Sequence, residues 1–183
     1  MSPASFVAEG TRIGVRRVRR QDREELAVLA RESVDLHHPW VPAGESTPEA
    51  FESFVARCEA PTHEGLVLCL RSSGSIVGGV NINNIVRGSL QSGTLGYVAF
   101  ASTTGRGYVT EGLRLVVRFA FGELGLHRLE ANIQPGNVAS SNVVRRVGFR
   151  LEGLSPNFQF MNGAWKDHER WAITTEMLDG SNG

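Results

Sequence analysis

Cysteine is scarce in this chain. There are two, Cys58 and Cys69, with no CxxC pair and no Cys/His cluster at metal-ligand spacing, so reduced thiols and no bound metal are expected. No apolar run approaches ~20 residues, which predicts no membrane-spanning helix. The opening Met1-Ser2-Pro3-Ala4-Ser5-Phe6 lacks a charged region followed by an apolar core, so no secretory signal is expected and the location is expected to be cytoplasmic. An excess of charge is also missing. Lys plus Arg number 19 and Asp plus Glu number 19, for a formal net charge of zero, which argues against stable nucleic-acid binding. No internal repeat, low-complexity tract or interdomain linker interrupts the 183 residues. They read as one domain, 1–183, long enough to bury a sizeable core.

What is present follows a regular order. Thr11 to Val18 alternates polar and apolar residues and predicts a first strand. Its arginines and those just beyond (Arg12, Arg16, Arg17, Arg19, Arg20) read as a solvated strand face in preference to a nucleic-acid patch. Asp22 followed by Glu25 has capping-box spacing, and Leu26, Leu29, Ala30 and Val34 then recur at helical intervals up to His37-His38-Pro39-Trp40. Thr47-Pro48-Glu49 is a second helix start, with a helix expected to end near Arg57. Gly65–Arg71 and Ile76–Val86 read as strands around a Ser-Ser-Gly-Ser turn, with Gly78-Gly79 marking a bulge. A further strand ends near Phe100.

The stretch from Gly96 to Phe149 is the most informative. A strand stops at Phe100, and Gly105-Arg106-Gly107 leads into a helix reaching Phe121. A strand from Leu126 to Ile133 follows, and a helix begins near Asn137. Two glycines before a helix bring bare backbone to free N–H groups and a positive dipole end, a natural anion site. A phosphate-bearing ligand fits there. A dinucleotide fingerprint is excluded because Thr110 stands where its third glycine belongs, and the Gly-Lys-Ser/Thr of a P-loop is absent. Beyond Phe149, Arg150–Phe160 predicts a strand interrupted by Gly153 and Pro156. Asn162-Gly163 is a hairpin turn signal, Trp165–Thr174 a last strand, and Asp179–Gly183 a frayed tail.

Taken together, the glycine turn, helix, strand, Asn137–Ser140 and Gly148-Phe149 resemble the GCN5-related N-acetyltransferases. More narrowly, Asn84–Ser89, Leu95-Gly96-Tyr97, Leu126-His127-Arg128 and Trp165-Lys166-Asp167-His168 resemble the Rim-type ribosomal-protein-alanine acetyltransferases. The resemblance implies a mixed α/β fold. Its mostly antiparallel sheet of about seven strands opens between the fourth, ending at Phe100, and the fifth, starting at Leu126. It implies acetyl-CoA as cosubstrate. The pyrophosphate would rest on the amides of Arg106, Gly107, Tyr108, Val109 and Thr110, and the pantetheine arm along Val98, Ala99, Phe100 and Asn137. Asn137 reads equally as a turn or helix cap. Thr104 and Val109 depart from the family's usual residues, which matters little where amides do the binding. Val144 replaces a common tyrosine acid, and the resemblance moves that role to Ser140, whose ordinary role would be a helix N-cap.

Acetyl transfer needs a neutral amine, a stabilised oxyanion and a departing thiolate. Positioning supplies much of the acceleration, and a backbone N–H near Val98 or Ala99 is the expected oxyanion donor. Gln159 stands where some relatives carry a glutamate base. His168 is the named base, with Asp167, Glu169 and the His37-His38 pair as substitutes, water as a further proton acceptor, and Glu111 as a helix first-turn acid. The segment from Asp22 to Glu64 is rich in acids, including Glu24, Glu25, Glu32, Asp35, Glu45, Glu49, Glu52 and Glu59. They read as exposed helix faces or as an acidic acceptor groove. The expected function is direct acetylation of a protein N-terminal α-amine. The rivals are acetylation of a small amine (antibiotic, polyamine or amino acid) and an acetyl-CoA-binding sensor that has lost catalysis. A homodimer stays compatible with the sequence.

Overall fold

The computed structural model describes residues 5–41 and 47–179. Eight strands form one sheet in the order β1-β2-β3-β4-β5-β6-β8-β7. The strands are β1 Ala8–Glu9, β2 Ile13–Arg17, β3 Glu64–Leu70, β4 Ile76–Val86, β5 Ser92–Ala99, β6 Arg128–Ile133, β7 Arg150–Met161 and β8 Ala164–Thr174. Every neighbouring pair is antiparallel except β5 and β6. The strand beyond the expected seven is β1, whose two residues are too few to show an alternating pattern. Among the described residues there are six α-helices, α1 Arg23–Glu32, α2 Val34–His37, α3 Pro48–Cys58, α4 Tyr108–Gly122, α5 Val138–Val147 and α6 Thr175–Asp179, and two short 3-10 turns, Arg20–Asp22 and Ala101–Thr103. No helix among the described residues is long and apolar enough to cross a membrane.

Strand alternation divides the core. Leu66 and Leu68 of β3 pack with Leu113 and Val116 of α4 and Val144 of α5. Their neighbours Val67 and Cys69 turn to the other face, with Phe100 and with Leu26 and Leu29 of α1. The helices therefore cover both sides of the sheet. Gly112 lets α4 approach closely, because a Cβ there would lie 2.5 Å from the Leu68 side chain. Thr47 caps α3 as expected, accepting a hydrogen bond from the Ala50 amide. Asn162 and Gly163, with φ of 51° and 79°, make the left-handed two-residue turn between β7 and β8. Pairing slips by Gly153 and between Ser155 and Gln159, around Pro156. β7 is the edge strand, with no further strand beyond it among the described residues, and an edge tolerates such irregularity. The β3–β4 register shifts at Leu68/Cys69, beside Gly78.

Two local expectations are corrected. The Asp22/Glu25 capping box does not form. Asp22 is 5% exposed, and its carboxylate receives both Arg16 guanidinium nitrogens at 2.7 and 2.9 Å and the Arg19 amide at 2.8 Å. Glu25 instead accepts from the Ile76 amide. Arg16 is accordingly no part of a solvated face, being 6% exposed. Burial disfavours its charge, but the bonds to Asp22 and Cys69 outweigh that and hold the guanidinium protonated. Burial also raises the Cys58 and Cys69 thiols, so neither is a ready nucleophile.

Candidate active site

The site starts from a divergence of backbones. The parallel β5–β6 pairing runs from Ser92↔Arg128 to Leu95↔Ala131 and stops, while β5 stays paired to β4 through Ala99 and β6 stays paired to β8 through Ile133. Residues 96–99 therefore have β4 on one side and, among the described residues, no strand on the other. A cavity of about 400 Å³ fills the opening and passes between the two faces of the sheet. Tyr97, Asn137 and Ser140 line it on the α5 side, and Val67, Val98 and Leu26 on the α1 side.

At the end of the splayed strand the chain turns into α4. Gly105 and Gly107 both have φ of 75°, a left-handed conformation that suits glycine, and Gly107 is the N-cap of α4. The amides of Arg106 through Thr110 donate no hydrogen bond within the described residues. Five unspent donors at the positive end of a 15-residue helix form an anion cradle.

A clamp that the sequence did not reveal fixes this cradle. Glu111 accepts from the Arg12 and Ile13 amides and from Arg12 Nε, and Arg12 Nη1 donates to the Arg106 carbonyl at 3.0 Å. The Arg12 guanidinium also lies over the Tyr108 ring. Burial pushes the Glu111 carboxyl up, but the Arg12 and Ile13 bonds outweigh it and leave its pKa below the ordinary carboxylate range. A carboxyl lowered by folding stabilises the fold above its unfolded pKa, and that stabilisation fades as pH falls through the lowered value. Glu111→Gln should therefore cost about 1–2 kcal/mol at neutral pH. Urea unfolding at pH 7 and in acid should show the gap between variant and parent closing in acid.

The expected pantetheine contacts divide. Val98 and Phe100 line the cavity, and Ala99 does not. The Ala99 carbonyl already accepts from His37 Nε2 at 2.8 Å, and the Phe100 carbonyl from Thr103. Asn137 takes both roles, lining the cavity while its side chain caps α5 through the Ser140 amide. Ser140 is not the N-cap. It lies in the first turn with its hydroxyl 2.6 Å from Tyr97 Oη. Tyr97 is the site residue that residue-by-residue reading missed, although it sits in the Leu95-Gly96-Tyr97 segment. Val144 is fully buried in the core.

Among the candidate bases, His168 alone lines the cavity. It is 2% exposed, packed against Phe158, with Nδ1 3.0 Å from the Lys166 carbonyl. A carbonyl only accepts, so Nδ1 carries a proton, and the neutral tautomer that fits this bond has its lone pair on Nε2. The others are engaged elsewhere. Glu169 accepts from Ser141 and Trp171, Asp167 from the Asn157 amide, and His37 donates to Ala99. His38 is exposed away from the cavity. Gln159 lines the cavity too.

Of the two readings of the acidic segment, exposed helix faces fit this cavity better than an acidic groove. No carboxylate lines the cavity among the described residues. Asp22 pairs with Arg16, Glu64 with Arg17, and Glu52 and Glu59 with Arg20. The arginines of β2 and the turn after it thus neutralise several of the acids that the segment supplies. Glu45 lies outside the described residues.

Residues 12–150 match a family model described as the acetyltransferase (GNAT) domain. The chain is 28% identical over 171 residues to the [ribosomal protein uS5]-alanine N-acetyltransferase of Escherichia coli (strain K12), covering 90% of this chain and 88% of that one. It is 41% identical over 102 residues to the "Probable N-acetyltransferase YjcK" of Bacillus subtilis (strain 168), a match spanning 56% of each protein and so just over half the length of that relative. Among solved structures, Mycobacterium smegmatis RimJ in complex with CoA-disulfide superposes with a TM-score of 0.82 at 29% identity, covering 93% of this chain and 89% of that chain.

Proposed function

Since the chain belongs to the GNAT acetyltransferase family, we propose that it moves the acetyl group of acetyl-CoA directly onto the α-amine of a protein N-terminus, as its ribosomal-protein-alanine relatives' names describe for them. The carrying observation is the cavity at the β5–β6 opening, lined by Val98, Asn137, Ser140 and the buried His168, with no carboxylate in its lining among the described residues. A polyamine keeps further ammonium groups that need acidic partners in the pocket. A peptide N-terminus presents one amine, which titrates near 7.7–8.0 and so arrives partly neutral at pH 7.

In this reading the pyrophosphate rests on residues 106–110 and the thioester lies beside Val98. His168 Nε2 takes the proton that the amine sheds as nitrogen attacks the thioester carbon. A backbone N–H at the splayed end of β5 stabilises the oxyanion. The C–S bond then breaks, and the sulfur leaves with the proton of the Ser140 hydroxyl.

The test is thiol release from acetyl-CoA with peptides bearing Ala or Ser N-termini, set beside spermidine and an aminoglycoside. Turnover should be confined to the peptides and vanish when their α-amine is blocked. Turnover confined to the small amines would overturn the acceptor assignment.

A further inference from the structure

The proton that leaves Ser140 has to be replaced, and the residue placed to do so is Tyr97. Its hydroxyl is the polar partner of Ser140 Oγ, at 2.6 Å, and lies 3.2 Å from the Ser140 carbonyl. The two residues come from β5 and α5, on opposite banks of the opening, and both line the cavity. A phenol has one proton and two places here to give it. The carbonyl is the longer contact and lies within the hydrogen-bond ladder of α5. The serine oxygen is closer, and an aliphatic alcohol is both a better acceptor and a much weaker acid than a phenol. With the phenol donating to Oγ, the serine keeps its own proton free to point into the cavity.

We propose that Tyr97 is a positioning residue for the proton-donating step: it donates to Ser140 Oγ, aims the serine proton at the departing sulfur, and replaces that proton as the thiolate leaves. The proposal rests on the reading of Ser140 as the acid. The protons balance within the reaction. The C–S bond breaks with its electron pair going to sulfur, sulfur binds the Ser140 proton, and Ser140 binds the Tyr97 proton. The phenolate left behind is neutralised, through solvent, by the proton that the amine gave up. Burial pushes the Tyr97 hydroxyl up to about 12, against a smaller opposing pull from Ser140, so the donor is loaded at neutral pH.

A simple staple between the two banks would hold the opening without touching chemistry, and a double-mutant cycle separates the two roles. Tyr97→Phe, Ser140→Ala and the double variant would be measured for kcat, for acetyl-CoA affinity by calorimetry, and for thermal unfolding. The expected result is a kcat loss of about tenfold for Tyr97→Phe and about 100-fold for Ser140→Ala, with the double variant no slower than Ser140→Ala and coenzyme affinity unchanged within about twofold. If Tyr97→Phe changes only affinity or stability, Tyr97 is a staple and the proposal fails. Equal losses from Tyr97→Phe on both backgrounds would show independent action and also overturn it. If Ser140→Ala keeps full kcat, the reading of Ser140 fails, and with it the relay. If Ser140→Ala is slow and Tyr97→Phe is not, Ser140 stands as the acid and only the relay is lost.

Discussion

His168→Gln should lower kcat by about 100-fold or more while leaving acetyl-CoA affinity unchanged. The side chain is 2% exposed and lines the cavity, and the Lys166 carbonyl fixes which nitrogen is free. Glutamine retains a hydrogen-bonding end but has no basic nitrogen. The deficit should narrow as pH rises past the α-amine's ordinary range, because more of the acceptor then arrives without a proton to lose. Initial rates from pH 6.5 to 9 with a saturating peptide would show this. A variant that runs at the parent rate at pH 7 would remove His168 from the chemistry and leave water as the proton acceptor. Thermal unfolding of the same sample separates lost catalysis from lost fold.

Asp22→Ala is expected to cost about 3–5 kcal/mol of unfolding free energy. The change deletes the carboxylate that receives both Arg16 nitrogens and leaves that guanidinium buried, with 7% of its side chain exposed. It also frees the Arg19 amide where the chain leaves β2 for α1. The cost comes from stranding a charge, so removing both partners should be milder. Arg16→Met with Asp22→Leu should recover most of the loss. Urea melts of the three proteins decide the matter. A loss below about 1 kcal/mol for Asp22→Ala would mean that water reaches Arg16 and that the pair behaves as a surface one.

These two residues also show where reading the sequence stops. Elements built from local signals were legible. Thr47-Pro48-Glu49 capped α3, Asn162-Gly163 turned the last hairpin, and the glycines at 105 and 107 began α4 in left-handed conformations. The place of the sheet opening followed from the resemblance and is visible where the β5–β6 pairing ends at Leu95. Arg16 and Asp22 were misread because an arginine in an alternating strand looks solvated, and an acid three residues before Glu25 looks like a cap. Only the packing of α1 against β3 shows that the two bury each other. The acids from Asp22 to Glu64 left two readings open for the same reason, since their arginine partners come from β2 and the turn beyond it. Tyr97 lies in the Leu95-Gly96-Tyr97 segment, yet its partner is 43 residues away on α5, a separation that no local spacing encodes. His168 needed the structure for a different reason. The sequence offered several bases, and cavity lining together with a carbonyl on Nδ1 distinguished one of them.

The central claim is that the opening between β5 and β6, together with the free amides at the start of α4, holds the acetyl donor. The most direct measurement is amide hydrogen exchange of the protein with and without acetyl-CoA, resolved to short peptides. Protection should concentrate at residues 96–100, 105–110 and 137–140, and should persist in His168→Gln, which binds but turns over slowly. Binding with protection elsewhere, or with residues 105–110 exchanging as fast as in the free protein, would contradict the account.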